Sequence, residues 1–248
     1  MSACTTLPTA CDTDAEVTVK TLGVLGGMGP AAGAEFLRLL ARDAPAKRDQ
    51  DHPRVIMLSD PSIPDRTEAI LGQGEDPTPQ LRSCLNRLVD WGADVLAVPC
   101  NTAHLFIDRF RGELRAPFIH IVEATVEAAA IKSPDGAWLL STSGTRRSGL
   151  YAQYAERAGY RFLDPPDEEQ ELIQQCVLQV KAGEIESSGA AIRKIIERLW
   201  SEDDRLITTA CTELPLAYAA SGLPHYKEVS SLQALSDACL KSLYRPDC

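Results

Sequence analysis

Two of the eight cysteines, Cys100 and Cys211, stand in matching surroundings. Each closes an apolar run, Val95-Leu96-Ala97-Val98-Pro99 or Leu206-Ile207-Thr208-Thr209-Ala210, and each is followed by short polar residues, Asn101-Thr102 or Thr212-Glu213. The match extends upstream, where Arg87-Leu88 and Val95-Leu96 precede Cys100 at the same separations as Arg198-Leu199 and Leu206-Ile207 precede Cys211. A lone cysteine at a strand end is ordinarily a small buried hydrophobe; two in equivalent polar-flanked positions point to a site. A thiol just past a strand, near the exposed N–H groups that open the next helix, has its pKa lowered toward the thiolate. Two such thiols facing a cleft from opposite sides suit inversion at a carbon centre. One removes a proton from one face, the other delivers a proton to the opposite face, and the roles exchange in reverse. The acidic carbon would lie beside a carboxylate, so donors and cations are needed to hold charge there, and a pocket for a dianion is expected to be locally basic.

The elements that must carry these residues are legible as an alternation of short apolar runs and amphipathic stretches, the pattern of parallel α/β structure. Strands are expected at residues 21–25, 55–59, 95–99, 118–121, 137–141 and 206–210. Helices are expected at 31–41, 79–91, 123–131, 148–158, 168–182, 190–200 and 231–243. Pro30 sits just inside the first helix, where its missing N–H costs least, and Ala34, Leu37, Leu40 and Ala41 read as that helix's apolar face. A second echo, Val24-Leu25-Gly26-Gly27-Met28-Gly29 against Leu139-Leu140-Ser141-Thr142-Ser143-Gly144, joins the first in suggesting two similar α/β halves. Each half then places its cysteine past the end of a central strand, where open parallel sheets bind ligands. The first glycine turn does not meet the full spacing of a dinucleotide fingerprint.

Composition narrows the function classes. The 248 residues suffice for one large domain or two small ones, and carry a formal net charge of −10. So acidic a chain is a poor polyphosphate binder, which argues against nucleic acid and anionic membrane as partners. No apolar run of about 18 residues occurs. There is no Cys-x-x-Cys pair and the four histidines are scattered, so no metal site is expected from spacing. Residues 1–19 read as a flexible polar tail without signal-peptide features, and the cytoplasm is the expected location. Cys84, Cys176 and Cys239 fall within expected helices and read as packing, whereas Cys4, Cys11 and Cys248 lie near the chain ends and read as incidental.

Four segments carry a resemblance: Leu25-Gly26-Gly27-Met28-Gly29-Pro30, Ile63-Pro64-Asp65-Arg66-Thr67, Pro99-Cys100-Asn101-Thr102-Ala103-His104 and Ala210-Cys211-Thr212-Glu213-Leu214-Pro215. Together, in this order, they resemble the signature segments of the aspartate/glutamate racemase family, more closely its aspartate racemase branch. The resemblance runs from about Thr21 to the C-terminus. It implies a cofactor-independent amino-acid racemase of two pseudosymmetric, doubly wound α/β domains with parallel four-stranded sheets. The site would lie between them, and the enzyme would form a homodimer. The expected domains are 20–115 plus 227–248, and 116–226.

Residue by residue, the resemblance makes Cys100 and Cys211 the catalytic pair. Asn101, Thr102 and Thr212 would hold the α-carboxylate and amino group. Met28, Thr142 and Thr145 would line the two glycine turns. Arg66 would pair with a substrate carboxylate, against the alternative of a surface arginine at a helix start. Lys181 matches a lysine near the site, against a cation that only complements a helix end. Glu213 would accept from the ammonium or else support Cys211, and His104 packs or caps behind Cys100. Where cell-wall-type glutamate racemases usually carry a histidine, Glu213 stands here. The expected substrate is aspartate or glutamate, since one methylene is worth only about 1–3 kcal/mol of discrimination. The alternatives are a related superfamily isomerase or decarboxylase, a non-catalytic dicarboxylic amino-acid-binding protein, and a thiol or metal protein.

Overall fold

The computed structural model describes residues 20–244, so the expected tail at 1–19 and Cys4, Cys11 and Cys248 lie outside the described residues. The first half runs β1 (Leu22–Gly26), α1 (Pro30–Asp43), β2 (Val55–Ser59), α2 (Arg66–Leu71), α3 (Thr78–Asp90), β3 (Val95–Ala97), α4 (His104–Ile107) and β4 (Phe118–Ile119), and α5 (Ile121–Lys132) leads out of it. The second half runs β5 (Ala137–Leu140), α6 (Ser143–Ser148), α7 (Leu150–Arg157), β6 (Phe162–Leu163), α8 (Asp167–Lys181), α9 (Ile185–Glu202), β7 (Ile207–Thr209), α10 (Leu214–Ala220) and β8 (Glu228–Ser230), closing with α11 (Ser231–Leu243).

Each half is a four-stranded parallel sheet, in the orders β2-β1-β3-β4 and β6-β5-β7-β8. The two orders are the same permutation, so β3 and β7, which precede the two cysteines, occupy equivalent places. Parallel strands buried on both faces require near-continuous apolar runs. The side-chain period of two sends alternate residues to different cores: Leu22, Val24, Val95 and Ala97 to a shared central core, Leu25, Leu96 and Val98 to an outer core under α3 and α4. In the second half Leu139 joins the central core, while Trp138 and Leu140 pack under α8, α9 and α10.

The central core is where the halves are joined. Helix α5, which follows the first sheet, packs on α7 and β8 of the second. Helix α11, which follows the second sheet, packs on α1, β3 and β4 of the first. Strand β4 pairs with β3, and β8 pairs with β7. The sheets therefore change over after Ile119 and after Ser230, a few residues later than the boundaries at 115 and 226 read from the sequence.

Three local readings need correction. The buried face of α1 is Ala32, Phe36, Leu39 and Leu40, not Ala34 and Ala41, because the helix must meet both β1 and α11 and its largest side chain, Phe36, sets the contact. The helix expected at 148–158 begins at Leu150, because Gly149 adopts a left-handed φ of 67° and ends at Ser148 a separate short helix, α6, that the sequence pattern does not show. The fourth strand stops at Ile119, because His120 turns to cap α5 by accepting the Glu123 N–H. No helix of the described residues is long and apolar enough to cross a membrane.

Candidate active site

The C-terminal ends of the two sheets face each other across a tight cleft of about 20 Å³. All the residues singled out from the sequence line it except Thr145, which sits behind Thr102 and Thr142. Cys100 and Cys211 enter from opposite halves, each only 5% exposed. Residues Met28, Arg66, Lys181 and Glu213 also border a larger chamber of about 560 Å³ lined by Pro30, Ile63, Val180 and Ile185, which adjoins the cleft.

The seam between the halves is built from polar side chains. Three hydroxyls, Thr102 from one half and Thr142 and Thr145 from the other, bond to one another at 2.8–3.1 Å. Thr142 also caps α6 by accepting the Thr145 N–H at 3.0 Å. Across the same seam α2 meets α6 so closely that a Cβ on Gly144 would fall 2.9 Å from the Thr67 Cα, so only glycine fits. Asn101 is largely committed to this seam: its Oδ1 accepts from the Tyr151 hydroxyl at 2.6 Å and its Nδ2 donates to Ser231 Oγ at 3.0 Å. The expectation that the Asn101 side chain holds substrate is thus limited to one remaining amide hydrogen and one Oδ1 lone pair.

Arg66 opens α2 and is 8% exposed. Its Nη1 donates to the carbonyls of Ile63 and Pro64, while its buried Nε has no partner. A buried guanidinium N–H without an acceptor is costly, so this geometry asks for an incoming anion. The neighbouring acid does not supply one. Asp65 caps α2 through the Thr67 and Glu68 N–H groups and forms an ion pair with Lys181 at 3.8 Å. Burial pushes the Asp65 carboxyl up, but the Glu68 N–H, Lys181 and Arg66 outweigh it and hold it below the usual range. Lys181, the last residue of α8, is therefore matched.

Glu213 is 3% exposed and reaches from the second half to the first. It accepts from the Gly29 N–H at 3.0 Å, from the Cys211 thiol at 3.1 Å and from the Thr212 hydroxyl at 3.3 Å. Of its two expected roles, acceptor for a ligand ammonium or support for Cys211, the geometry forms the second. Burial first, then the Glu213 carboxylate, push the Cys211 thiol well above its ordinary range. Two cations and two carboxylates thus line the cleft, so it is charge-balanced and not locally basic, and Arg66 is the cation left with capacity. Sequence reasoning missed Asp65, Thr67, Tyr151 and Ser231. Asp65 could have been found as an Asp just ahead of a helix start, whereas Tyr151 and Ser231 had no local signal.

The lining offers a guanidinium able to pair a carboxylate and two thiols from opposite halves, the Cys211 thiol held to its proton. Among the described residues no group of three His, Cys, Asp or Glu side chains is placed to hold a metal ion.

Comparison with known proteins bears on this geometry. A family model described as Asp/Glu/hydantoin racemase matches residues 25–233. The structure of an aspartate racemase from Picrophilus torridus superposes with a TM-score of 0.78 at 28% identity, covering 92% of this chain and 96% of that one. The broad specificity amino-acid racemase RacX of Bacillus subtilis is 25% identical over 197 residues, 78% of this chain and 85% of that protein. A glutamate racemase of Aquifex pyrophilus is 30% identical over 139 residues, about half of either chain (54% and 51%).

Proposed function

Because the chain belongs to the Asp/Glu/hydantoin racemase family and is thus an isomerase, we propose that it interconverts the L and D forms of a small acidic amino acid, aspartate or glutamate, by two-base proton transfer through Cys100 and Cys211 without pyridoxal phosphate. One observation carries this reading: two buried thiols from opposite halves share a cleft with a buried guanidinium whose Nε has no acceptor. Arg66 receives a substrate carboxylate, a charge-assisted contact that places the α-carbon between the sulfurs. The free amide hydrogen of Asn101 lies within the same cleft, beside Thr102, Thr142 and Thr212, and donates to oxygen as negative charge moves onto the carboxylate.

The protonation of Cys211 sets the starting roles of the pair. Cys211 rests as a thiol whose proton is held by Glu213, so it delivers. Cys100 then acts as the thiolate that abstracts from the opposite face. After turnover the roles are exchanged, and a product molecule of the other configuration is attacked by a Cys211 thiolate made strongly basic by burial and by Glu213. Aspartate is favoured as substrate by the aspartate racemase among its structural relatives. The working form is a homodimer on the family resemblance, which light scattering at assay concentration would test.

The test is to incubate the purified protein, with no cofactor added, with L- and D-aspartate and L- and D-glutamate in D₂O. Loss of the α-proton by NMR and the enantiomer ratio by chiral chromatography are followed together. Exchange with at least one pair, with both enantiomers converging on an equal mixture, is expected. Because the equilibrium constant of a racemisation is one by symmetry, kcat/KM must be the same from either enantiomer even where kcat and KM differ. Saturable binding without exchange would instead establish an amino-acid-binding protein.

A further inference from the structure

Immediately behind Cys100, on the side away from the cleft, lies a wholly buried imidazole, His104. After β3 the chain turns tightly, with the Cys100 N–H donating to the Val98 carbonyl and the His104 N–H to the Asn101 carbonyl. No backbone N–H of the described residues reaches the Cys100 carbonyl oxygen in this turn. His104 Nδ1 does, at 2.9 Å. Its other nitrogen, Nε2, lies 3.2 Å from the N–H of Ile121, the first residue of α5. A backbone N–H can only donate, so Nε2 is bare and the proton is on Nδ1, which donates to Cys100. One ring therefore joins two backbone groups that would otherwise be orphaned, one in the cysteine loop and one at a helix start.

The ring is itself fixed. His120 meets it edge-on with ring centroids 4.4 Å apart, and Phe118 lies at 5.2 Å. His120 in turn donates from Nε2 to Asp108, which also accepts from the Tyr154 hydroxyl of the second half at 2.9 Å. Burial, followed by His120, pulls the His104 pKa far below its ordinary value, so the ring is neutral across the range in which the thiols work. The other cysteine has no such brace, because its carbonyl already accepts from the Leu214 N–H at 3.0 Å within the turn into α10.

We infer that His104 is a positioning residue for the Cys100 half-reaction: its Nδ1–H bond to the Cys100 carbonyl, braced by the Ile121 N–H on Nε2, fixes the loop that aims the Cys100 sulfur at the α-carbon. The inference rests on the two-thiol reading above. It assigns His104 no proton transfer and no contact with substrate.

The experiment has one arm that needs no activity. Nitrogen NMR of histidine-labelled wild-type protein should show one neutral ring with its proton on Nδ1, unchanged through the assay pH range; an Nε2–H or charged ring at His104 overturns the inference. In the second arm His104→Leu removes both bonds, and His104→Asn restores a donor where Nδ1 stood. Misaiming a reacting group by about 1 Å costs up to roughly 100-fold, so His104→Leu should lose about 10- to 100-fold in kcat with KM changed less than about threefold. With α-deuterated substrates the isotope effect should rise for one enantiomer only, the one whose proton Cys100 removes. His104→Asn should recover roughly tenfold of the loss. Equal rises for both enantiomers, an unchanged kcat, or an asparagine variant no better than leucine would each contradict it. Should the leucine variant fail to fold, the one-sided isotope effect in His104→Asn and the wild-type tautomer decide. Absence of wild-type turnover sinks the racemase reading itself, a failure distinct from a wrong tautomer.

Discussion

The two cysteine arms hold equivalent places in the fold and have different neighbours. Both follow the third strand of a sheet with the same strand order, and both end in a cysteine followed by a hydroxyl-bearing or amide residue. At Cys100 the neighbouring side chains hold the loop: His104 takes its carbonyl, Tyr151 and Ser231 take Asn101, and Thr142 and Thr145 take Thr102. At Cys211 the backbone holds the loop and a side chain holds the thiol, through Glu213. A duplicated fold can thus supply the symmetry a two-sided reaction needs while leaving the two acids unequal. The backbone fixes where the sulfurs stand, and on the proposed mechanism the Glu213 carboxylate beside Cys211 holds the proton on that sulfur.

The sharpest way to break the comparison is to remove a thiol. Cys100→Ser or Cys211→Ser should lower racemisation in either direction by on the order of 10³-fold, since general acid–base groups contribute roughly 10²–10⁴. Retention of more than a tenth of wild-type activity in either variant would remove that cysteine from the mechanism. Next is the cation both arms share. Arg66→Ala should lower kcat/KM by about 10- to 100-fold, the equivalent of a charge-assisted hydrogen bond of about 1.5–3 kcal/mol, and Arg66→Lys should recover little because it lacks the fork. Steady-state kinetics over a range of aspartate concentrations would measure it.

A smaller effect separates the arms by pH. The Glu213 carboxylate raises the Cys211 pKa, so Glu213→Gln should lower it. The alkaline limb of the kcat/KM profile should then move to lower pH, by the same amount from either enantiomer; a limb that stays in place would detach Glu213 from Cys211. The smallest effect belongs to the seam on the Cys100 side. Tyr151→Phe deletes the bond to Asn101 at a net cost of about 1 kcal/mol, or about 2–4 °C in Tm for a protein of this size. It should leave the Glu213-dependent limb unmoved, as thermal unfolding and a pH profile would show.

Much of this was legible in the chain. Long periodic segments such as Asp167–Lys181 and Ile185–Glu202 declare themselves, and the cysteine, Arg66 and Lys181 positions all converge on the cleft. What was not legible depends on docking. Phe162–Leu163 and Glu228–Ser230 are strands only because a neighbouring strand pairs with them. Ser143–Ser148 has no apolar period, and it is helical because Thr142 caps it and α2 packs against it. The commitment of Asn101 to Tyr151, fifty positions away, exists only once the halves meet. The expected basic pocket failed because Asp65, which was not read as a site residue, joins the expected Glu213 in the cleft and balances Arg66 and Lys181.

The most direct test of the two-thiol account is enantiomer-resolved exchange in the single cysteine variants. In D₂O each variant retains one base, so Cys211→Ser should exchange the α-proton of the enantiomer that faces Cys100, and Cys100→Ser that of the other, with no racemisation in either. Exchange of the same enantiomer by both variants, or undiminished racemisation by one, would contradict the account.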